Sequence, residues 1–412
     1  MPQTHTPEEL CAWLRLSVEP GLGRATARNL LKEFGLPQHI FASGVGRLTR
    51  HVPSELATRL AAPRSQEVQA AIDTALRMLA SPGYHLITLA DPQYPATLFD
   101  TGDPPISLYI RGDPALLHQP SVAIVGARNA TEGGKDNARA FARHLASRGW
   151  TIISGLARGI DAAAHEGAIQ AGPEGGRTLA VLAGGLDLIY PPRHTALAEE
   201  IAATGALISE YPPGTPAQPF RFPDRNRLVA ALSRGVLVVE AAAQSGSLGT
   251  ARLATECGRE VFAIPGSIHA PLARGCHALI RQGAKLVEQG RDIEEELLRS
   301  GPVPNGATSE HVPPAGRAPA RSWKSFDRSE PEDPRTAAAA QRPTGRMLKD
   351  PTVVRVLDAL GYDPADADML CRRSGLEFSR IAAILTELEL NDQVQRLDDG
   401  RYQRRQQGII YG

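Results

Sequence analysis

Between residues 81 and 298, short apolar runs alternate with helical stretches, and small-residue turns fall where the runs end. Runs this apolar are buried on both faces, and helices between them imply a parallel sheet covered on both sides. A pattern of short helices precedes this region, and a helix-turn-helix with a short β pattern follows it. Together these predict an α/β protein. A Rossmann-like parallel-sheet domain is flanked by a small N-terminal helical domain and a C-terminal winged helix.

At 412 residues the chain is too long for one ordinary domain. We divide it into a helical domain over 1–80, the sheet domain over 81–298, a linker over 299–345 and a terminal domain over 346–412. The linker holds Pro302, Pro304, Pro313, Pro314, Pro319, Pro331, Pro334 and Pro343 among Gly, Ser and Ala, without sustained periodicity. That composition predicts a flexible segment. Lys plus Arg and Asp plus Glu both number 45, so any phosphate-binding surface is local, not a property of the whole chain. The four cysteines, Cys11, Cys257, Cys276 and Cys371, lie far apart with no CxxC pair. This argues against a zinc site or a disulfide framework and for reduced thiols. No basic-then-apolar leader and no run approaching the ~20 residues of a membrane span is present, so a cytoplasmic location is expected.

The sheet domain's pattern starts with Val122–Val125, an apolar strand running into Gly126. Lys135–Arg148 follows as a helix, with Ala138, Phe141, Ala142 and Leu145 on one face, and Gly149 ends it. Strand Thr151–Ile153 meets a turn at Ser154-Gly155, and a helix starts at Ile160. Strands 178–182, 206–208, 236–239 and 261–264 complete the series. Ligands of such sheets sit at the carboxyl ends of the strands, near the point where strand order reverses. The Gly-rich turns fall at those ends.

Four of these loops carry candidate chemistry. In Gly126-Ala127-Arg128, glycine lets a phosphate approach the backbone, the following helix offers N–H groups, and the Arg128 guanidinium forks onto phosphate oxygens. Arg128 stands where GxGxxG would have its second glycine, so a dinucleotide site is disfavoured. The bland alternative is a tight βα turn with a solvated arginine. In the second loop, Ser154-Gly155-Leu-Ala-Arg158-Gly159-Ile-Asp161, the aspartate either caps the turn or touches ligand. The third, Phe220-Arg221-Phe222-Pro223-Asp224-Arg225-Asn226-Arg227, mixes arginines for phosphate with aromatic faces for unstacked bases. Bases within a duplex are not free to stack, so this mix favours single strands; the alternative is a helix start whose arginines are structural. The fourth, Ser245-Gly246-Ser247-Leu248-Gly249-Thr250, has hydroxyls and backbone N–H groups that can form an anion nest.

At the N-terminus, Pro20-Gly21-Leu22-Gly23-Arg24 between two helices reads as a helix-hairpin-helix turn, of the kind found in SAM-like modules. Such a turn either binds backbone phosphate or simply packs. At the C-terminus, 365–371 and 377–390 form the helix-turn-helix around Ser374-Gly375, and 394–402 the wing. The second helix carries Glu377, Glu387 and Glu389 against Arg380, which favours a protein contact or accessory role over duplex reading.

Taken as a set, these residues resemble the DprA/Smf family of DNA-processing proteins. The resemblance runs through Asp91-Pro-Gln-Tyr-Pro95, Asp103-Pro-Pro105, Tyr109-Ile-Arg-Gly112, Val125-Gly-Ala-Arg128, 154–161, Gly184-Gly-Leu-Asp187 with Tyr190-Pro191, 222–227, Ser245-Gly-Ser247 and Ile264-Pro-Gly266, in the family's order. It implies single-stranded DNA binding, loading of the RecA recombinase, protection of incoming strands in natural transformation, and a homodimer through the Rossmann-like domain. No cofactor, no metal and no catalysis are implied. The family's GxR arginine corresponds to Arg128. Some members have a basic residue directly after the Tyr-Pro pair; here Pro192 stands there and Arg193 follows. The expected contact set is Gly126, Arg128, Ser154, Gly155, Arg158, Arg193, Phe220, Arg225, Asn226, Arg227, Ser245, Gly246, Ser247 and Thr250.

The rival reading is a nucleotide-binding or phosphoribohydrolase-like enzyme. Residues 245–256 also resemble the PGGxGTxxE motif of hydrolases that cleave nucleoside monophosphates. Those enzymes need a carboxylate three residues after the threonine, and Leu253 occupies that place. A leucine cannot act as a general base.

Overall fold

The computed structural model describes residues 5–299 and 350–404, apart from 363, 392 and 398. After Arg299, the expected linker lies outside the described residues.

Six helices open the chain: α1 (Pro7–Val18), α2 (Arg24–Phe34), α3 (Pro37–Phe41), α4 (Val45–Leu48), α5 (Ser54–Ala61) and α6 (Gln66–Leu79). Thr6 and Glu9 start α1 with a reciprocal capping box, and Ser65 caps α6. Then come β1 (Tyr84–Thr88), β2 (Ser107–Gly112), β3 (Ser121–Val125), α7 (Glu132–Ser147), β4 (Thr151–Ser154), α8 (Ile160–Ile169), β5 (Thr178–Val181), α9 (Thr195–Thr204), β6 (Ala206–Ser209) and α10 (Arg221–Leu232). The sheet domain ends with β7 (Gly235–Val238), α11 (Gly246–Glu256), β8 (Glu260–Ala263), α12 (Arg274–Arg281), β9 (Lys285–Leu286) and α13 (Gly290–Arg299). The terminal module holds α14 (Pro351–Leu360), α15 (Ala367–Ser374), α16 (Phe378–Leu390) and the hairpin β10 (Val394–Arg396) with β11 (Tyr402–Arg404).

Nine strands form one sheet in the order β1-β2-β6-β5-β4-β3-β7-β8-β9. From β6 to β9 all neighbours are parallel, while β1 and β2 add an antiparallel edge beside β6. The chain winds outward from β3 through β4, β5 and β6, then returns to place β7 on the other side of β3. Strand order therefore reverses between β3 and β7, which opens a crevice at their carboxyl ends.

The period of two along each strand sorts the core into two layers. Ala123, Val125, Ile153 and Val181 pack with residues of α10, α11 and α12. Val122, Ile124, Ile152 and Leu237 pack with residues of α7, α8 and α13. The N-terminal module joins this core: Leu14 of α1 and Ile72 of α6 share a buried cluster with Tyr109 of β2 and Leu207 of β6. The sequence pattern anticipates the parallel strands within a residue or two. It misses the β1–β2 edge, the short β9 and helix α14.

Candidate nucleic-acid interface

The four loops singled out above stand at the carboxyl ends of β3, β4, β6 and β7, as a doubly wound sheet requires. Their detailed chemistry differs from what spacing alone suggests. At Gly126 a Cβ would meet Ile160 at 2.6 Å and the Glu240 carbonyl at 2.9 Å, so the loop after β3 needs glycine to lie flat against its neighbours. Arg128 then projects from this loop, exposed and without an ion-pair partner among the described residues. Its guanidinium carbon lies 4.9 Å from the centroid of the Phe222 ring, a cation–π contact. Phe222 is half-buried, and the Tyr190 ring stands 5.7 Å away at 56°. Tyr190 is 54% exposed. These two rings border a narrow crevice with Gly155, Gly184, Leu188 and Ala217 along its walls. An exposed cation thus lies over one half-buried ring, with a second, more exposed ring beside it.

The N-terminus of α7 is already capped and faces a carboxylate, which corrects the expectation that it is open to a phosphate. Thr131 caps the helix by accepting from the Gly134 N–H at 2.9 Å. The Glu240 carboxylate, at the end of β7, accepts from the Thr131 N–H at 2.9 Å and from its hydroxyl at 2.6 Å. A side chain at Gly134 would collide with that carboxylate. The place where dinucleotide-binding folds seat a pyrophosphate is held by the protein's own negative charge.

Several residues expected at the surface lie inside. Ser154 is fully buried and its hydroxyl donates to the Ile124 carbonyl at 2.6 Å. Gly155 is buried, with its N–H donated to Asp161 at 3.2 Å, so Asp161 braces the turn. Arg225 is 3% exposed and donates to the carbonyls of Gly155, at 2.6 Å, and Val181. Its guanidinium fills the space a Gly155 side chain would need. Burial pulls the Arg225 pKa down to about 10, against the attraction of Asp161. Arg227 is also buried and pairs with Glu210. Thr250 and Ser247 are buried on α11, and Ser247 shares a 2.7 Å hydrogen bond with Ser245, the N-cap. The segments pack against one another, so Ser154 and Arg225 turn inward to backbone carbonyls, while Arg227 and Ser247 turn to side-chain partners.

Beneath the β4 and β5 loops lies His165, fully buried. The Thr178 hydroxyl donates to the Ile152 carbonyl at 2.8 Å, so it accepts from His165 Nδ1–H at 2.7 Å, which leaves Nε2 unprotonated. Burial pulls the pKa of this ring down to about 3, with Arg225 and His194 adding to the effect.

The rest of the expected set is at the surface. Arg158 is exposed and donates to Asn129 at 3.3 Å. Arg193 is exposed in a short helical turn after the cis Tyr190–Pro191 bond. Phe220 is 60% exposed with Arg221 over its ring at 5.3 Å. Asn226 is half-buried, and Gly246 is exposed. Leu253 is half-buried and packs against the apolar core.

Residues 85–298, more than half of the chain, match the family described as DNA recombination-mediator protein A. The chain belongs to the DprA/Smf family. Residues 331–400 match the DprA winged helix domain. Protein Smf of Escherichia coli is 47% identical over 227 residues, 55% of this chain and 60% of that protein's length. Protein Smf of a Synechocystis strain is 38% identical over 330 residues, 77% of this chain and 80% of that protein. The X-ray structure of DNA processing protein A from Streptococcus pneumoniae superposes with a TM-score of 0.55 at 36% identity, covering 69% of this chain and 95% of that one. The family is one of DNA-processing proteins and recombination mediators, and the winged helix at the C-terminus is a DprA domain.

In this DprA-family chain, reasoning from the sequence overlooked three site residues. Tyr190 and Phe222 are aromatic residues of segments that the sequence singles out, which is their one sequence signal; the fold alone sets them beside Arg128. Glu240 gave none, because only the sheet order brings the end of β7 to the start of α7.

Proposed function

We propose that this protein binds single-stranded DNA across the carboxyl ends of β3, β4, β6 and β7, and acts as a recombination mediator. The observation that carries this reading is the placement of Arg128 over the Phe222 ring, with the exposed Tyr190 ring beside it at the mouth of a narrow crevice. Arginine neutralises phosphate, and both rings offer faces to unstacked bases. Arg158, Arg193 and Asn226 extend the polar rim, with Phe220 as a further exposed ring. Gly126 and Gly155 let the loops after β3 and β4 pack closely on their neighbours, and exposed Gly246 leaves the start of α11 open to the strand. Arg225, Arg227, Ser154, Ser247 and Thr250 act from beneath, by holding the loops; Ser245 caps α11 at the rim.

We read the protein as a binder and not an enzyme. Leu253 packs where a phosphoribohydrolase would need its base, and Glu240 fills the α7 N-terminus against a nucleotide phosphate. Release of free base from AMP by the purified protein would support the enzyme instead. The reading extends to loading RecA onto the bound strand in natural transformation, and to a homodimer through the sheet domain. Strand β9 is an outermost strand of the sheet, and Leu286 on it is 44% exposed, an apolar side chain available to a second copy. Mobility shift of labelled oligonucleotides tests the core of the reading: single strands shift at concentrations where duplex of the same sequence does not.

A further inference from the structure

The N-terminal turn Gly21-Leu22-Gly23-Arg24 has both glycines at the surface, while the Arg24 side chain reaches across to the sheet domain. Arg24, the first residue of α2, reaches three carboxylates. Its Nη1 lies 2.9 Å from Glu210 Oε1, and its Nη2 lies 3.1 Å from Asp224 and 3.4 Å from Asp103. Glu210 follows β6 directly and its side chain is 2% exposed. Asp224 lies on the first turn of α10, two residues after Phe222. Arg227, one turn further on, pairs with the same Glu210, and Arg28 pairs with Asp103. Three arginines and three carboxylates thus balance one another where α2, the end of β6 and α10 meet. The turn itself is pinned by Arg59, whose guanidinium donates to the Pro20 carbonyl at 2.9 Å.

Glu210 and Arg227 are buried within this group, so removing Arg24 takes away one of the two arginines that offset the buried Glu210 charge. The first turn of α10 carries Phe222, and its neighbour Arg221 stacks over Tyr211, next to Glu210. The position of the aromatic platform is therefore tied to a residue of another module.

We propose that Arg24 is a positioning residue for single-strand binding: it ties the first turn of α10 to the end of β6, and so sets where Phe222 stands against Arg128. The helix-hairpin-helix-like turn acts through this tie and makes no phosphate contact through Arg24. The inference rests on the reading of Arg128 and Phe222 as strand-binding groups.

The test uses the full chain and labelled oligothymidylate, titrated by anisotropy over a series of salt concentrations, with a 2-aminopurine-containing strand reporting base stacking. Arg24→Ala weakens binding about tenfold, as loss of a charged hydrogen-bond partner does, lowers 2-aminopurine quenching at saturation, and leaves the salt slope unchanged. Arg24→Lys restores part of the affinity. Asp224→Asn keeps the buried Arg24–Glu210 pair, so it reports on the tie even where Arg24→Ala fails to fold, and it weakens binding several-fold. Unchanged affinity and quenching in Asp224→Asn and Arg24→Ala overturn the proposal. So does a salt slope reduced by about one in Arg24→Ala, which marks a direct phosphate contact. Absence of strand binding by the unaltered protein overturns the functional reading and this inference together, whereas a binding parent with indifferent variants overturns the inference alone.

Discussion

An exposed arginine beside an aromatic ring and a buried arginine bonded to carbonyls are the same residue type in two different surroundings. Arg128 and Arg225 show the difference. Each stands in a segment that the sequence marks as a candidate phosphate site, and local spacing does not separate them. Arg128 follows a glycine loop that ends at the surface, whereas Arg225 lies on a helix whose inward face covers the Gly155 turn. Arg128→Ala is expected to weaken single-strand binding about tenfold for all sequences alike and to lower the salt slope by about one, measured by anisotropy over a salt series. Phe222→Ala removes a stacking face instead. It is expected to lose about 1–3 kcal/mol with the slope unaltered, in the same titrations. A shared slope change in both variants would mean the roles are misassigned.

His165 yields a prediction about stability. Burial holds its folded pKa at about 3, well below the usual imidazole value of 6.5. Between these values the unfolded chain takes up a proton that the folded protein refuses, so stability falls as pH drops below about 6.5. The slope from this one group is about 1.4 kcal/mol per pH unit. His165→Asn keeps a polar partner for Thr178 and removes the titration. Denaturant midpoints measured from pH 6 to pH 4 should fall less steeply in the variant, and parallel curves would contradict the account.

At the scale of elements, the parallel strands were legible because burial on both faces forces near-continuous apolar runs, as in 122–125 and 236–239. The cap residues made helix starts legible as well, although Thr131 places α7 three residues earlier than its apolar face suggests. The β1–β2 pair was hidden for a physical reason. No tight turn joins the two strands, and β1 is only half-buried along most of its length, so neither hairpin signal is present. Strand β9 is two residues long, too short for any period. As an open edge it carries the prediction for assembly: Leu286→Arg is expected to convert a dimer to a monomer in sedimentation equilibrium. An unchanged mass would place the interface elsewhere.

For the whole molecule, the neutral charge balance concealed a divided surface. Carboxylates such as Glu240, Glu210 and Asp161 point inward to N–H groups and arginines. The exposed cations Arg128, Arg158 and Arg193 remain on the loops around the aromatic crevice. This division depends on sheet order, which brings residues from distant parts of the chain to one end, and no count of charges reveals it. The N-terminal module is continuous with the sheet's core through Leu14 and Ile72, so it belongs to the scaffold of the site. The four cysteines are free, and no helix among the described residues is long and apolar enough to cross a membrane.

The central claim is that an arginine-and-aromatic crevice at the strand ends takes unstacked bases together with their phosphates. Equilibrium anisotropy on one sequence, as single strand and as duplex, at low and raised salt, tests it most directly. The account predicts tight binding of the single strand, much weaker binding of the duplex, and loss of single-strand affinity as salt rises. Equal affinity for the two forms would contradict it.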